Sequence, residues 1–293
     1  MKTFIEPENN NWPVICKRPV IKQADLTRQV ESIIMNVKET GDAALHSYSK
    51  KFDNTLVQEL KVSKNEIEEG IDKTPANLKK SIRQAFENIA KFHSMQRANE
   101  IEVETMAGVM CRRIVRPIAR VGLYIPGGSA PLFSTVLMLG VPAKIAGCNE
   151  VVLCTPPAPD GKIHPAILYS ANLCGIKEIY KTGGAQAIAA MAYGTATIKP
   201  VSKIFGPGNQ YVTQAKQIVS MDGIAIDMPA GPSEVLVLAD YTANPAFIAA
   251  DLLSQAEHGS DSQVVLVTND SGLPARVNIE LKTQLKKLNR RAI

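Results

Sequence analysis

The feature that most constrains the fold is an alternation of short β-branched runs with helix-length apolar stretches after residue 119. The runs that predict strands are RVGLYI, EVVLCT, EIYKT, SKIF, GIAID, EVLVLA and QVVLVT. They are apolar at consecutive positions, which is typical of strands buried on both faces of a parallel sheet. The alternation therefore predicts an α/β fold with mostly parallel sheets, covered by helices on both sides and joined by right-handed crossovers.

The region before residue 119 predicts helices and one hairpin. Apolar residues recur at helical spacing from Val30 to Val37, and Gly41 is expected to end that helix. A longer helix is expected to follow Pro75, with Phe92 on its buried side. The stretch IEVETMAGVMCRRIV alternates around an Ala-Gly turn, which indicates a β-hairpin.

The length of 293 residues exceeds what one hydrophobic core usually supports, so two domains are expected. The helical opening supplies no strands beyond the hairpin, so later strand–helix units are expected to return and pack with it. This predicts an N-terminal arm over residues 1–20, an incomplete first domain over 21–118 and 233–293, and an inserted domain over 119–232. Two domains in simple succession are the alternative.

Composition and charge exclude several classes of protein. The first twenty residues lack the apolar core of a signal peptide, and no run is long enough to span a bilayer, so a cytoplasmic protein without a membrane partner is expected. The net charge of +5 is mild, and the arginines between Arg112 and Arg120 alternate with apolar residues. This pattern favours a solvated face over a nucleic-acid groove. Five cysteines without a C-x-x-C pair argue against a disulfide framework or a cysteine-rich zinc finger.

Three predicted strands run into glycine-rich turns that open helices: YIPGGSAP at 124–131, KTGGAQAIAA at 181–190 and IFGPGNQYV at 204–212. Glycine allows close approach of the backbone to a ligand, and the free amides of a helix start attract phosphate. Such loops gather at the carboxyl ends of parallel strands, where ligands bind. Any one of them is an ordinary turn, and none is G-x-G-x-x-G, but together they predict a nucleotide or phosphorylated ligand.

Polar residues beside these turns are candidate ligand contacts. Tyr124 ends a strand, and Gln186 and Asn209 lie at the start of helices that are expected to face the same crevice. Their alternative interpretations are a surface tyrosine, a helix-start glutamine and an N-cap asparagine.

A candidate metal pair lies in DLLSQAEHGSDSQ at 251–263. Gln255 and His258 are three residues apart on a predicted helix and so share one face. In the alternative interpretation His258 only complements the helix dipole before Gly259, and glutamine is an unusual zinc ligand. Ser233, in the crossing DMPAGPSE, lies at an expected domain interface and either lines a cleft or caps a turn.

Taken in order, RVGLYIPGG, GGAQAIAA, GPGNQYV, the D-x-PAGPSE crossing and DLLSQAEH resemble histidinol dehydrogenase, and the resemblance covers essentially the whole chain. It implies a homodimer of two Rossmann-like domains with mostly parallel sheets, the second inserted into the first and binding NAD. It also implies NAD-dependent oxidation of L-histidinol to L-histidine through histidinal, in two hydride transfers of histidine biosynthesis.

The resemblance implies roles for individual residues. It makes Tyr124, Gln186 and Asn209 NAD contacts, Ser233 a substrate contact, and Gln255 and His258 zinc ligands that also contact the substrate. The family's catalytic Glu-His pair, in a P-E-H-L-type motif, and the remaining zinc ligands are expected beyond Ile293, so no catalytic residue is expected in this chain. The alternative function is a non-catalytic NAD-binding or assembly fragment that retains the fold.

Overall fold

The computed structural model describes residues 2–17, 23–127, 131–229, 234–257 and 262–288, without the side chains of Gln23 and Ala24. Contacts divide the chain into two compact units. The large unit is Gln23–Ala230, and the small unit is Met1–Lys22 with Gly231–Ile293.

The secondary structure alternates as the sequence predicts after residue 119. The described strands are β1 (Ile101–Met106), β2 (Val109–Arg113), β3 (Arg120–Tyr124), β4 (Glu150–Thr155), β5 (Glu178–Lys181), β6 (Lys203–Phe205), β7 (Ala225–Ile226), β8 (Glu234–Ala239) and β9 (Gln263–Thr268). The described α-helices are α1 (Trp12–Ile15), α2 (Gln23–Thr40), α3 (Asp42–Phe52), α4 (Lys64–Lys73), α5 (Ala76–Ser94), α6 (Phe133–Ala146), α7 (Pro165–Cys174), α8 (Gly184–Tyr193), α9 (Gln210–Met221), α10 (Pro245–Ala256) and α11 (Leu273–Leu285).

The large unit is built on a five-stranded sheet in the order β5-β4-β3-β6-β7, and every pair in it is parallel. Each apolar run that predicted a strand forms one, and the alternating segment before it forms the antiparallel β1–β2 hairpin. The predicted α/β class with mostly parallel sheets is confirmed. The chain passes from β3 to β4 and β5 through α6 and α7, then returns through α8 to β6 on the other side of β3.

Helices cover both faces of this sheet in two layers. Successive residues of β3 face opposite sides of the sheet, so that Leu123 packs in the core with α6 and α7 while Tyr124 packs in the core with α8 and α9. The helices of the N-terminal region form the outer layers: α4 and α5 pack on α7 and α6, and α2 and α3 pack on α8. Gly70 of α4 shows how close this packing is, because a Cβ there would lie 2.5 Å from Cδ1 of Leu168.

Local signals in the N-terminal region are mostly confirmed. Gly41 follows α2 with a φ of +57°, a conformation that favours glycine. Ile82 of α5 is 1% exposed, but the prediction that Phe92 is buried is wrong, since it is 64% exposed. Phe92 lies in the last turn of α5, where its ring contacts His93 edge-on instead of entering the core.

The small unit contains the parallel pair β8–β9, packed against α10 and α11 around Ile248, Leu252 and Leu273. The contacts group the helices of residues 23–94 with the five-stranded sheet. The predicted membership of residues 21–118 and 233–293 in one domain stays a prediction, as does the insertion of 119–232. In the part of the chain that the structure describes, no helix is both long and apolar enough to cross a bilayer.

Candidate functional site

The strand order creates a crevice at one point of the five-stranded sheet. The connection from β3 leads to β4 on one side, while β6 on the other side is reached through α8, so the connections from the ends of β3 and β6 diverge. In open parallel sheets, ligands bind outside the carboxyl ends of the strands at such a reversal. The turns after β3 and β6 are two of the glycine-rich turns found in the sequence.

A cavity of about 1300 Å³ lies at these strand ends. Its walls come from the turns after β3 and β4, the first turns of α8 and α9, and the α2–α3 layer. It is larger than the pockets that hold drug-sized ligands, which measure roughly 300–1,000 Å³. Tyr124, Gln186 and Asn209, which the sequence analysis selected from three separate turns, all line it.

Tyr124 is buried, and its phenolic oxygen accepts a hydrogen bond from the amide of Gly184 over 3.0 Å. Burial raises the pKa of Tyr124 to about 12. The phenol therefore stays protonated near neutral pH, and its O–H remains available to donate to a ligand.

Gln186 is only 1% exposed, yet its Oε1 has no hydrogen-bond partner among the described residues. An unsatisfied buried acceptor costs about 1–3 kcal/mol, so such an atom in a cavity wall points to a donor supplied by a ligand. Gly184 makes room for this side chain, because a Cβ there would lie 2.6 Å from Gln186 Oε1.

Asn209 is the N-cap of α9, as its alternative interpretation predicted. Its Oδ1 accepts hydrogen bonds from the amides of Tyr211 and Val212, each over 3.1 Å. The capping role occupies the side-chain oxygen and leaves the amide nitrogen as a donor. Capping and ligand contact are therefore compatible in this residue.

Gly206, in the turn after β6, is held by two residues that the sequence analysis did not select. Nζ of Lys216 donates to the Gly206 carbonyl over 2.8 Å and forms an ion pair with Asp227, whose Oδ2 accepts from the Gly206 amide over 2.8 Å. We call these three residues the Gly206 clamp. Gly206 has a φ of +132°, and a Cβ there would lie 2.1 Å from the carbonyl oxygen of Tyr124, so only glycine fits this close approach.

The predicted metal pair is described only in part. Gln255 lies in the last turn of α10 and is half-buried, whereas His258 and the predicted substrate contact Ser233 lie outside the described residues. Among the described ranges, no three His, Cys, Asp or Glu residues are grouped so that they could hold a metal ion. One glutamine amide does not make a zinc site, so the zinc ligands stay a prediction.

A family model described as histidinol dehydrogenase matches residues 16–293. The chain belongs to the histidinol dehydrogenase family. The family predicted from the sequence, and with it the oxidoreductase class, is confirmed by this match.

Two relatives and one solved structure of the histidinol dehydrogenase family share more than half of their aligned residues with this chain. The enzyme of Bacteroides fragilis is 56% identical over 293 residues, which is 100% of this chain and 68% of the relative. That of Vibrio cholerae is 57% identical over 282 residues, which is 95% of this chain and 64% of the relative. The crystal structure of histidinol dehydrogenase from Elizabethkingia anophelis matches with a TM-score of 0.94 and 54% identity, over 100% of this chain and 67% of that one. The chain thus spans about two thirds of the length of these proteins.

Proposed function

We propose that this chain binds the dinucleotide of an NAD-dependent histidinol dehydrogenase, which oxidises L-histidinol to L-histidine through histidinal in two hydride transfers of histidine biosynthesis. The observation that carries the proposal is the cavity at the strand reversal, lined by Tyr124, Gln186 and Asn209, in a chain of this family. Its volume and its unsatisfied buried acceptor suit a large polar ligand.

The chain's own groups would bind and orient the dinucleotide. The O–H of Tyr124 and the amide nitrogen of Asn209 are donors, Oε1 of Gln186 is an acceptor, and the glycine turns admit phosphates to backbone amides. When bound, NAD supplies the hydride acceptor. The residues that line the cavity would hold the dinucleotide in one orientation relative to the substrate, since correct orientation of the reactants can remove a large part of the barrier to hydride transfer.

The substrate side belongs to residues that are proposed from the family resemblance. Ser233 would contact L-histidinol, and Gln255 and His258 would bind zinc and, through it, the substrate. A homodimer in the cytoplasm is the proposed state of the whole enzyme. Residues 1–293 contain no P-E-H-L sequence, so the proposal assigns them dinucleotide binding and assigns proton abstraction to residues outside them.

Calorimetric titration of the chain with NAD tests the proposal. Gln186→Leu keeps the size of the side chain but removes the unsatisfied acceptor, so the affinity for NAD should fall about tenfold while the fold is retained. Gln217→Leu is the matched control, because Gln217 lies on the exposed face of α9, away from the cavity. Absence of NAD binding by the wild-type chain, or equal affinities in both variants, would contradict the proposal.

A further inference from the structure

The cavity has a second polar wall on the side of β4. Thr155 is the last residue of β4, is 1% exposed, and its Oγ1 has no partner among the described residues. In dinucleotide-binding sheets, an acidic residue about 20 residues after the glycine turn accepts a hydrogen bond from the ribose 2′-hydroxyl. Here β4 ends at Thr155 and is followed by Pro156 and Pro157, so this strand end supplies no carboxylate.

A carboxylate reaches the same wall from another element. Asp53 follows the last residue of α3 and lines the cavity together with Thr155 and Tyr124. Its segment lies against the loop after β4, because the single Thr55 hydroxyl proton is shared between the Asp53 carbonyl over 3.0 Å and the Ala158 carbonyl over 3.3 Å. The charge of Asp53 is close enough to Tyr124 to contribute to the raised pKa of that phenol.

The position is unfavourable for an acid that serves only the fold. Asp53 lies at the C-terminus of a helix, where the dipole disfavours negative charge, and its Oδ2 is buried without a partner in the described part of the chain. Burial raises the pKa of Asp53 to about 6, with no described cation lowering it. Arg28 and Lys51 also line the cavity but are exposed. Residues that break local rules in this way concentrate at functional sites.

We propose that Asp53, assisted by Thr155, accepts hydrogen bonds from the hydroxyl groups of the adenosine ribose and thereby selects NAD over NADP. This inference rests on the proposed function. A free 2′-hydroxyl donates to the carboxylate and satisfies it, whereas a 2′-phosphate brings a second negative charge against it. Asp53 Oδ2 and Thr155 Oγ1, which lack partners among the residues that the structure describes, lie on the β4 side of the cavity, while Asn209 lies after β6. In this arrangement the adenosine half of the dinucleotide lies at the end of β4 and the other half at the end of β6.

Calorimetric titration with NAD and with NADP tests the assignment on the wild-type chain, Asp53→Asn and Asp72→Asn. Asp72 makes a matched control, since it is exposed on α4 and does not line the cavity. The wild type should prefer NAD. Asp53→Asn should lose about tenfold in NAD affinity. The ratio of NAD affinity to NADP affinity should fall by about tenfold or more, because the repulsion between the Asp53 carboxylate and the 2′-phosphate of NADP is removed. Asp72→Asn should change neither value.

A second titration, with ADP and 2′-deoxy-ADP, isolates the hydroxyl. The wild type should bind ADP about tenfold more tightly, and Asp53→Asn should reduce this difference to about twofold. A loss of overall stability would weaken both ligands equally and would leave this ratio unchanged.

The outcomes separate the two proposals. Wild-type binding of NAD with an unchanged NAD-to-NADP ratio in Asp53→Asn would overturn the role of Asp53 and leave the proposed function standing. A wild-type preference for NADP would assign Arg28 and Lys51 to a 2′-phosphate and would also overturn it. A wild-type chain that binds neither dinucleotide would overturn the proposed function itself.

Discussion

The Gly206 clamp allows a quantitative prediction about coupling between two charges. Lys216 is 4% exposed, so loss of its ion-pair partner leaves a cation in the core with one carbonyl to satisfy it. Breaking a buried pair from one side costs about 3–5 kcal/mol. The side chain of Asp227 is 28% exposed, which allows some hydration of the site, so Asp227→Asn should cost about 3 kcal/mol, at the lower end of that range.

The reverse substitution should be milder. Lys216→Met keeps the packing of the aliphatic stem and removes the charge that needs compensation, while the partly exposed Asp227 gains water. The loss of the hydrogen bond to Gly206 suggests a cost of about 1–2 kcal/mol. In the double variant neither charge is left unpaired, so its cost should stay near that of Lys216→Met and about 3 kcal/mol below the sum of the single variants.

Urea unfolding of the wild type, both single variants and the double variant measures this coupling. Circular dichroism should be fitted with separate transitions for the two units, because a two-state fit is not justified for such a chain. Costs that add to within about 0.5 kcal/mol would show that Lys216 and Asp227 do not act as one unit, and would refute the reasoning. NAD titration of the same variants should show weaker binding, since the Gly206 turn leads directly into Asn209.

Three further predictions follow from single residues. Asp53→Asn should stabilise the protein by about 1 kcal/mol near neutral pH. The pKa of Asp53 is about 6 in the folded state against 3.8 for an unperturbed aspartate, so at neutral pH folding buries an ionised carboxylate at a cost that asparagine avoids. Because the Asp53 side chain is partly exposed to solvent, the gain is smaller than the full pKa difference would give. The stability gain of Asp53→Asn should vanish as the pH falls towards 3.8. Unfolding curves of both proteins at several pH values measure it, and a gain that grows towards low pH would contradict the prediction. Asn209→Asp should keep the cap of α9 but weaken NAD binding, whereas Asn209→Ala should also lower the stability by about 1 kcal/mol; calorimetry and thermal melts separate the two. Residues 1–293 alone, mixed with L-histidinol, NAD and zinc, should give no sustained absorbance of NADH. A placed general base contributes about 10²–10⁴-fold to a hydride transfer from an alcohol, and the P-E-H-L sequence that carries the family's Glu-His pair is absent from residues 1–293. Turnover that requires His258 would contradict this prediction.

The sequence predicted the sheet because buried parallel strands have a local signature. Runs such as EVVLCT are apolar at successive positions, and the glycine turns that follow such strands locate Tyr124, Gln186 and Asn209 at one edge. The partners of the first helices were not predictable in the same way, since an amphipathic face shows that a helix is covered but not by what. Contacts group these helices with the five-stranded sheet.

The residues missed by the sequence analysis lack any local pattern. Asp53 lines the same cavity as Thr155 only because the α2–α3 layer packs over the strand ends, and nothing near Asp53 in the chain indicates a ligand. The Gly206 clamp joins α9 to the segment after β7. Of its two charged residues, only Asp227, the first residue of the DMPAGPSE stretch, belongs to a motif that drew attention in the sequence. Phe92 was assigned to the core because periodicity continues to the end of a helix even where the core does not.

The outer layer of α2 and α3 determines where this protein can be cut or joined. A graft of residues 119–232 onto another scaffold would transfer all five strands but not the side of the cavity formed by Gln29, Tyr48 and Asp53. It would also expose the alanine-rich surface of α8 to water. The piece to transfer is therefore the whole compact unit Gln23–Ala230. Within it, the tip of the exposed β1–β2 hairpin is the place to insert a tag, because a Cβ on Gly108 would have no atom of the described residues within 4 Å.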